Sequence, residues 1–171
     1  MKRIKLISFF LCMTALTSLS DCDRDEPKTE MEKLPPITQE GKNTFGCLVN
    51  GKAWITKTSI DANAVYQANM LQISAGLVNK DFNQFLYFVI NNPSEQEFLL
   101  NDTLKYRVEL TDLDTNCRYV TNGLIGSGKI MINKLDTKNR IASGTFDFKV
   151  QNTNCIELNV TDGRFDLTLI L

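Results

Sequence analysis

From Asn43 to the C-terminus, apolar positions recur every second residue rather than every third or fourth. Successive side chains of a strand point to opposite faces, so this period predicts β-structure with one face buried. Phe45, Cys47 and Val49 alternate in this way, Asn50-Gly51 follows, and Lys52 to Ile55 resumes the pattern. Asn-Gly between two such runs predicts a two-residue hairpin, because both loop residues take positive φ. That register pairs Val49 with Lys52 and sets Cys47 beside Trp54, facing the core.

Further strands are predicted at Met70 to Val78, Gln84 to Asn91, Glu97 to Leu100, Tyr106 to Leu110, Cys117 to Thr121 and Lys129 to Asn133. Arg140 to Val150, Ile156 to Val160 and Arg164 to Leu171 complete the set. Turn clusters separate them, among them Asn91 to Ser94, Asp136 to Asn139 and Asp162-Gly163, the last expected to join the final two strands as a hairpin. In the run from Ile141, Ala142, Gly144, Phe146, Phe148 and Val150 share one face. Only Asp61 to Gln67 reads as a short turn of helix. Many short strands without helical crossovers predict one all-β domain, an antiparallel β-sandwich or flattened β-barrel of about ten strands over residues 43–171.

The chain before Asn43 has a different pattern. Lys2, Arg3 and Lys5 precede an apolar run from Leu6 to Leu16, too short for a membrane-spanning helix, which needs about 20 residues. A basic start, a short apolar core and a small-residue stretch read as a signal peptide over residues 1–21. Leu19-Ser20-Asp21-Cys22 resembles a bacterial lipobox, which makes Cys22 the lipidation site; Asp21 departs from the pattern, where a small residue normally precedes the cysteine. An ordinary cleaved signal is the alternative. Asp23-Arg24-Asp25-Glu26 resembles the acidic export signal of surface lipoproteins, so the expected location is the outer membrane at the cell surface, with the periplasmic face as alternative. Residues 22–42 hold three of the four prolines and no aromatic residue, and read as a disordered tether.

Phe45 to Trp54 (FGCLVNGKAW) and Thr161 to Asp166 (TDGRFD), with Gly128 to Asp136 and Ile141 to Phe148 between them, resemble small Bacteroidota lipoproteins classed as a domain of unknown function. The resemblance implies a β-rich envelope lipoprotein and no particular activity.

Composition narrows the chemistry. The chain has 171 residues, 19 Lys+Arg, 20 Asp+Glu and no histidine. Loss of Lys2, Arg3, Lys5 and Asp21 with the signal would move the net charge from -1 to -3. Neither value suits a nucleic-acid partner, which calls for a concentrated basic surface. Without histidine there is no His-based triad, and Cys47 has no histidine to make it a thiolate. Cys117 and Cys155 lie in the similar contexts Thr115-Asn116-Cys117 and Thr153-Asn154-Cys155, and an exported protein meets oxidising conditions, so these two are expected to form a disulfide. Asp112-Leu113-Asp114-Thr115-Asn116 begins like a calcium loop, but Cys117 and Gly123 occupy its glycine and glutamate positions, so it reads as a polar turn and no metal site or cofactor is expected. Gly123 to Gly128 has no helix after it to hold a phosphate and reads as a loop. Asp147 and Asp166, the candidate carboxylate pair for glycoside hydrolysis, are expected to face solvent, with Arg164 and Asp166 in cross-strand charge pairs.

Tyr66, Phe82, Phe85, Tyr87, Phe88, Tyr106 and Tyr119 could supply a carbohydrate-binding face. Phe85 to Ile90 is apolar on both faces, however, and a central strand covered on both sides explains that as core packing. Asp102-Thr103-Leu104 resembles an O-glycosylation acceptor, which makes Thr103 a candidate modification site. The functional expectation is a membrane-anchored, non-enzymatic module that binds a glycan or an envelope protein partner. The alternative is a structural or assembly subunit of a lipoprotein complex, and a glycoside-type hydrolase comes third.

Overall fold

The computed structural model describes residues 28–58, 61–102, 104–121 and 126–171. Cys22, the signal peptide and Thr103 lie outside the described residues. Among the described residues a 3-10 turn, Met31–Lys33, precedes eleven strands. They are β1 (Thr44–Val49), β2 (Lys52–Ile55), β3 (Ala62–Gln67), β4 (Met70–Val78), β5 (Asn83–Asn91), β6 (Glu97–Leu99), β7 (Tyr106–Asp112), β8 (Cys117–Val120), β9 (Gly126–Asp136), β10 (Ile141–Val150) and β11 (Leu158–Ile170).

The strands form one curled sheet in the order β6-β9-β10-β11-β3-β4-β5-β7-β8, with β1 and then β2 branching from β11. Two half-sheets result: β2, β1, β11, β10, β9 and β6 face β3, β4, β5, β7 and β8. The all-β expectation is met as an open, half-barrel sheet. Every named pairing is antiparallel except one, where the end of β11 runs parallel to β3 through Leu169 opposite Ala64 and Ile170 opposite Val65. That strand carries the sheet round the corner.

Aromatic side chains fill the space between the halves. Phe88 of β5 meets Phe146 of β10 at 4.9 Å between ring centroids, and Phe45 contacts Phe146 at 5.2 Å and Trp54 at 5.8 Å. The β1–β2 hairpin has the expected register, Cys47 opposite Trp54 and Val49 opposite Lys52, with Cys47 and Trp54 fully buried. Asn50 (φ 49) and Gly51 (φ 78) supply the two positive dihedrals of its turn.

Three local expectations are corrected. The helical turn expected over Asp61 to Gln67 is instead the strand Ala62–Gln67: Asp61 turns the chain by accepting a hydrogen bond from the Thr58 amide (2.8 Å), and Ala62 and Ala64 then alternate into the core. Asp162-Gly163 is a bulge inside one continuous β11, not a hairpin. Phe146 pairs with Gly163 and Phe148 with Val160, so Thr161 and Asp162 together oppose Asp147. Asp162 takes the left-handed conformation (φ 56), and a Cβ on Gly163 would stand 2.3 Å from the Phe146 ring. The turn between β10 and β11 lies at 151–157, in the gap expected after Val150, and there the Cys155 amide donates to the Asn152 carbonyl. Gly126, Ser127 and Gly128, expected in a loop, begin β9.

The largest difference concerns the tether. Residues 28–42 lie against the outer face of the first half-sheet. Leu34 is buried there, and a Cβ on Gly46 would stand 2.8 Å from the Pro35 ring. A segment poor in apolar residues is held here by specific hydrogen bonds to the sheet rather than by area buried.

Candidate functional site

Asp166 is the centre of that attachment. On β11 it lies between inward-facing Phe165 and Leu167, so alternation turns its side chain to the outer face. It is nonetheless only 2% exposed, because the 28–42 segment covers it. Its carboxylate accepts hydrogen bonds from the Thr38 hydroxyl (2.6 Å) and from the backbone amides of Glu40 (3.0 Å), Gly41 (2.7 Å) and Lys42 (3.3 Å). Burial pushes its pKa up, but these donors together outweigh burial and hold the carboxyl below its usual range. The expected solvent-facing Asp166 and its charge pair with Arg164 are thus corrected. Arg164 donates instead to the carbonyl oxygens of Asp162 (3.0 Å) and Pro35 (3.4 Å). Asp147 lies on the same outer face, half-buried, opposite Lys129 in the β9 register.

Around this clasp the two sequence motifs come together. Asn50 exchanges backbone and side-chain hydrogen bonds with Asn159, which ties the β1–β2 turn to the start of β11. Asn43 accepts from the Thr168 amide at 2.8 Å. The family model for a Domain of unknown function (DUF6252) matches residues 42–166, running from one amide at the clasp to the carboxylate that accepts it. The chain belongs to that family. No curated protein and no solved structure matches it. Most of the docked segment precedes the matched DUF6252 span, while its acceptor lies inside.

The second half-sheet has the opposite character, since among the described residues no segment lies across its outer face. Phe85 and Tyr87 point outward from β5 and stay exposed or half-buried, whereas Val89 further along the same face is buried. Phe85 is 45% exposed, so the reading of β5 as covered on both sides fails for its outer face. Phe82, Phe88 and Tyr119 are core residues, as core packing implies. Phe85 sits opposite Gly76 of β4, and Tyr87 opposite Ser74. A Cβ on Gly76 would stand 2.9 Å from the Phe85 ring, so this glycine lets the ring lie flat on the sheet.

The two rings floor a groove of about 620 Å³ in the DUF6252 domain. Lys57, Thr58 and Asp61 wall it, with Asn63 and Ser74 at the rim. The wall is fastened to the floor where the Gly76 amide donates to the Asp61 carbonyl (2.8 Å). Ser74 Oγ donates to Asn63 Oδ1 (3.0 Å). Beyond Tyr87, Glu109 accepts a bidentate pair from Arg118 at 2.6 and 2.8 Å, which holds the Glu109 carboxyl below its usual range.

The remaining candidates separate cleanly. Cys117 on β8 and Cys155 in the β10–β11 loop are disulfide-bonded, with Cα atoms 6.1 Å apart. Cys47 keeps a free thiol, and burial pushes its pKa well up, away from the thiolate. Asp112 accepts from the amides of Asp114 and Thr115 (both 3.0 Å) and from Gln84 Nε2 (2.7 Å), so its oxygens cap a turn. Among the described residues no three Cys, Asp or Glu side chains gather closely enough to hold a metal ion.

Proposed function

We propose that this DUF6252 chain is a lipoprotein anchored through Cys22 in the outer membrane, displayed at the cell surface, and that it works as a non-enzymatic binding module for a glycan or an envelope protein. The observation that carries the binding reading is the uncovered aromatic floor of Phe85 and Tyr87 beside a hydroxyl-, amide- and ion-bearing wall. Flat rings take the apolar face of a sugar or an aliphatic side chain, and the rim supplies hydrogen bonds that set orientation. A stable monomer has little reason to leave a phenylalanine half exposed in the middle of a sheet. The buried thiol of Cys47 and the occupied carboxylate of Asp166 support the non-enzymatic part, since neither is free to act as a nucleophile or a base.

The test is a glycan array carrying neutral and acidic oligosaccharides, probed with the full chain and with Phe85→Ala and Tyr87→Ala. Binding that falls at least tenfold in either variant supports the groove. Equal binding by all three proteins, or none by the parent, removes the glycan reading. The competing role as an assembly subunit is favoured by the same outer face read as an apolar patch, in which the exposed Val78 joins Phe85. Cross-linking in the native envelope that places a protein across Phe85 would establish that alternative.

A further inference from the structure

The docked segment 28–42 sets how far the domain can stand from its anchor. Its attachments cross the first half-sheet strand by strand. At β2, the Glu30 carboxylate accepts from the Ala53 amide at 2.8 Å. Pro35 sits over Gly46 of β1, and its carbonyl accepts from Arg164 of β11 at 3.4 Å. The clasp on Asp166 follows, together with a hydrogen bond from Thr168 Oγ1 to the Gly41 carbonyl (3.3 Å). On the far side, Lys134 of β9 reaches the Gln39 carbonyl at 3.5 Å. Two further features belong to the same contact. Ser143 lies on the outer face of β10 between Lys134 and Asp166, yet is fully buried. At the other end Glu32 closes on the amide and hydroxyl of Thr29 (2.7 and 2.9 Å), so the first turn of the segment is itself fixed.

We propose that residues 28–42 are a structural strap, which holds the β2 edge of the domain against the lipid surface instead of letting the domain swing on a long stalk. The proposal rests on the anchoring of Cys22. The length follows from chain geometry. Twenty residue steps from Cys22 to Lys42 would reach about 70 Å fully extended, whereas the six steps to Lys28 reach about 20 Å. The partner surface is therefore a bilayer, approached by the edge formed by β2 and the start of the strap. Trp54 lies in that edge and is the single tryptophan of the chain, which makes it a native distance probe.

The test uses the full chain, acylated at Cys22, in phosphatidylethanolamine–phosphatidylglycerol vesicles that carry a dansyl-headgroup lipid. Energy transfer from Trp54 to dansyl is measured beside amide hydrogen exchange at Glu40, Gly41 and Lys42. The parent protein is expected to protect these amides at least tenfold over an unstructured chain and to transfer efficiently. Asp166→Asn removes the charged acceptor. Thr38→Val removes one donor from a residue outside the sheet and so spares the fold. Each is expected to lose that protection while the amides of β10 stay protected, and each combined with Glu30→Ala, which frees the Lys28 end from Ala53, is expected to lose at least half of the transfer. Unprotected amides in the parent overturn the strap itself. Unchanged transfer in the combined variants, whose strap amides exchange freely and whose Glu30 contact is gone, overturns its role in holding the domain close. A mass showing Cys22 unacylated overturns the anchor, and with it the membrane contact, whereas the exchange arm judges the strap independently.

Discussion

A carboxylate that accepts from one hydroxyl and three backbone amides stays charged without a cation beside it, and Asp166 is held in that way. Because its folded pKa is lowered, the stability it contributes is present above the unfolded value of about 3.9 and is lost as pH falls through the folded one. Asp166→Asn should therefore cost about 2 kcal/mol near pH 7, since hydrogen bonds to a charged acceptor are worth about 1.5–3 kcal/mol each. Near pH 3, already below the unfolded value, the gap between parent and variant should have narrowed. Urea midpoints at the two pH values check this, and an undiminished gap at pH 3 would contradict it. In the sequence Asp166 is an outward aspartate on a strand, the commonest solvated position there is. Nothing in its neighbours announces the cover, because the donors are backbone amides, which carry no residue signature. Phe85, a candidate for a binding face, falls to core packing in the sequence for a related reason. An apolar residue reads the same whether its face is covered or open, and only the tertiary arrangement leaves it uncovered.

At the scale of elements, the legible parts were those whose signal is local. Asn50-Gly51 set the hairpin register to the residue, and the period of two located most strands within a residue or two. Asp162-Gly163 carries the same turn chemistry and yields a bulge. The difference lies in a partner distant in sequence, the Phe146 ring lying on Gly163. The two glycines should thus respond differently to substitution. Gly51 has open space around it and a left-handed backbone, so Gly51→Ala should cost about 1–2 kcal/mol and Gly51→Asn should recover most of that. Gly163→Ala should cost about 1–3 kcal/mol through overpacking, and Gly163→Asn more. Chemical denaturation of the four variants gives the comparison; recovery by Asn at position 163 would refute the packing argument. The helix expected at Asp61 to Gln67 failed on length, because seven residues of mixed character carry too weak a period to tell the two states apart.

Across the whole molecule, an open curled sheet leaves β8 as a free edge, and the chain fastens that edge to the opposite half. The Cys117–Cys155 bridge joins β8 to the β10–β11 loop, where Tyr119 Oη donates to the Ile156 carbonyl (2.9 Å) and Asn152 Nδ2 to the Arg118 carbonyl (2.8 Å). Cysteines 38 positions apart close a loop worth about 3–4 kcal/mol on the chain-entropy estimate. Replacing both by serine should lower stability by that amount, and reductant should lower the parent to the same level without affecting the variant. The pairing was readable because Cys117 and Cys155 share the same Thr-Asn-Cys context. The curl was not, since it depends on β11 finding β3 at its far end. The buried thiol adds a consequence for the order of oxidation. The three cysteines among the described residues, Cys47, Cys117 and Cys155, could join in three ways, yet hairpins close in microseconds and compact domains form within milliseconds to seconds, whereas disulfides take seconds to hours. Once Cys47 has packed beside Trp54, folding has withdrawn it from the competition, and an oxidant arriving afterwards finds one pair left to join.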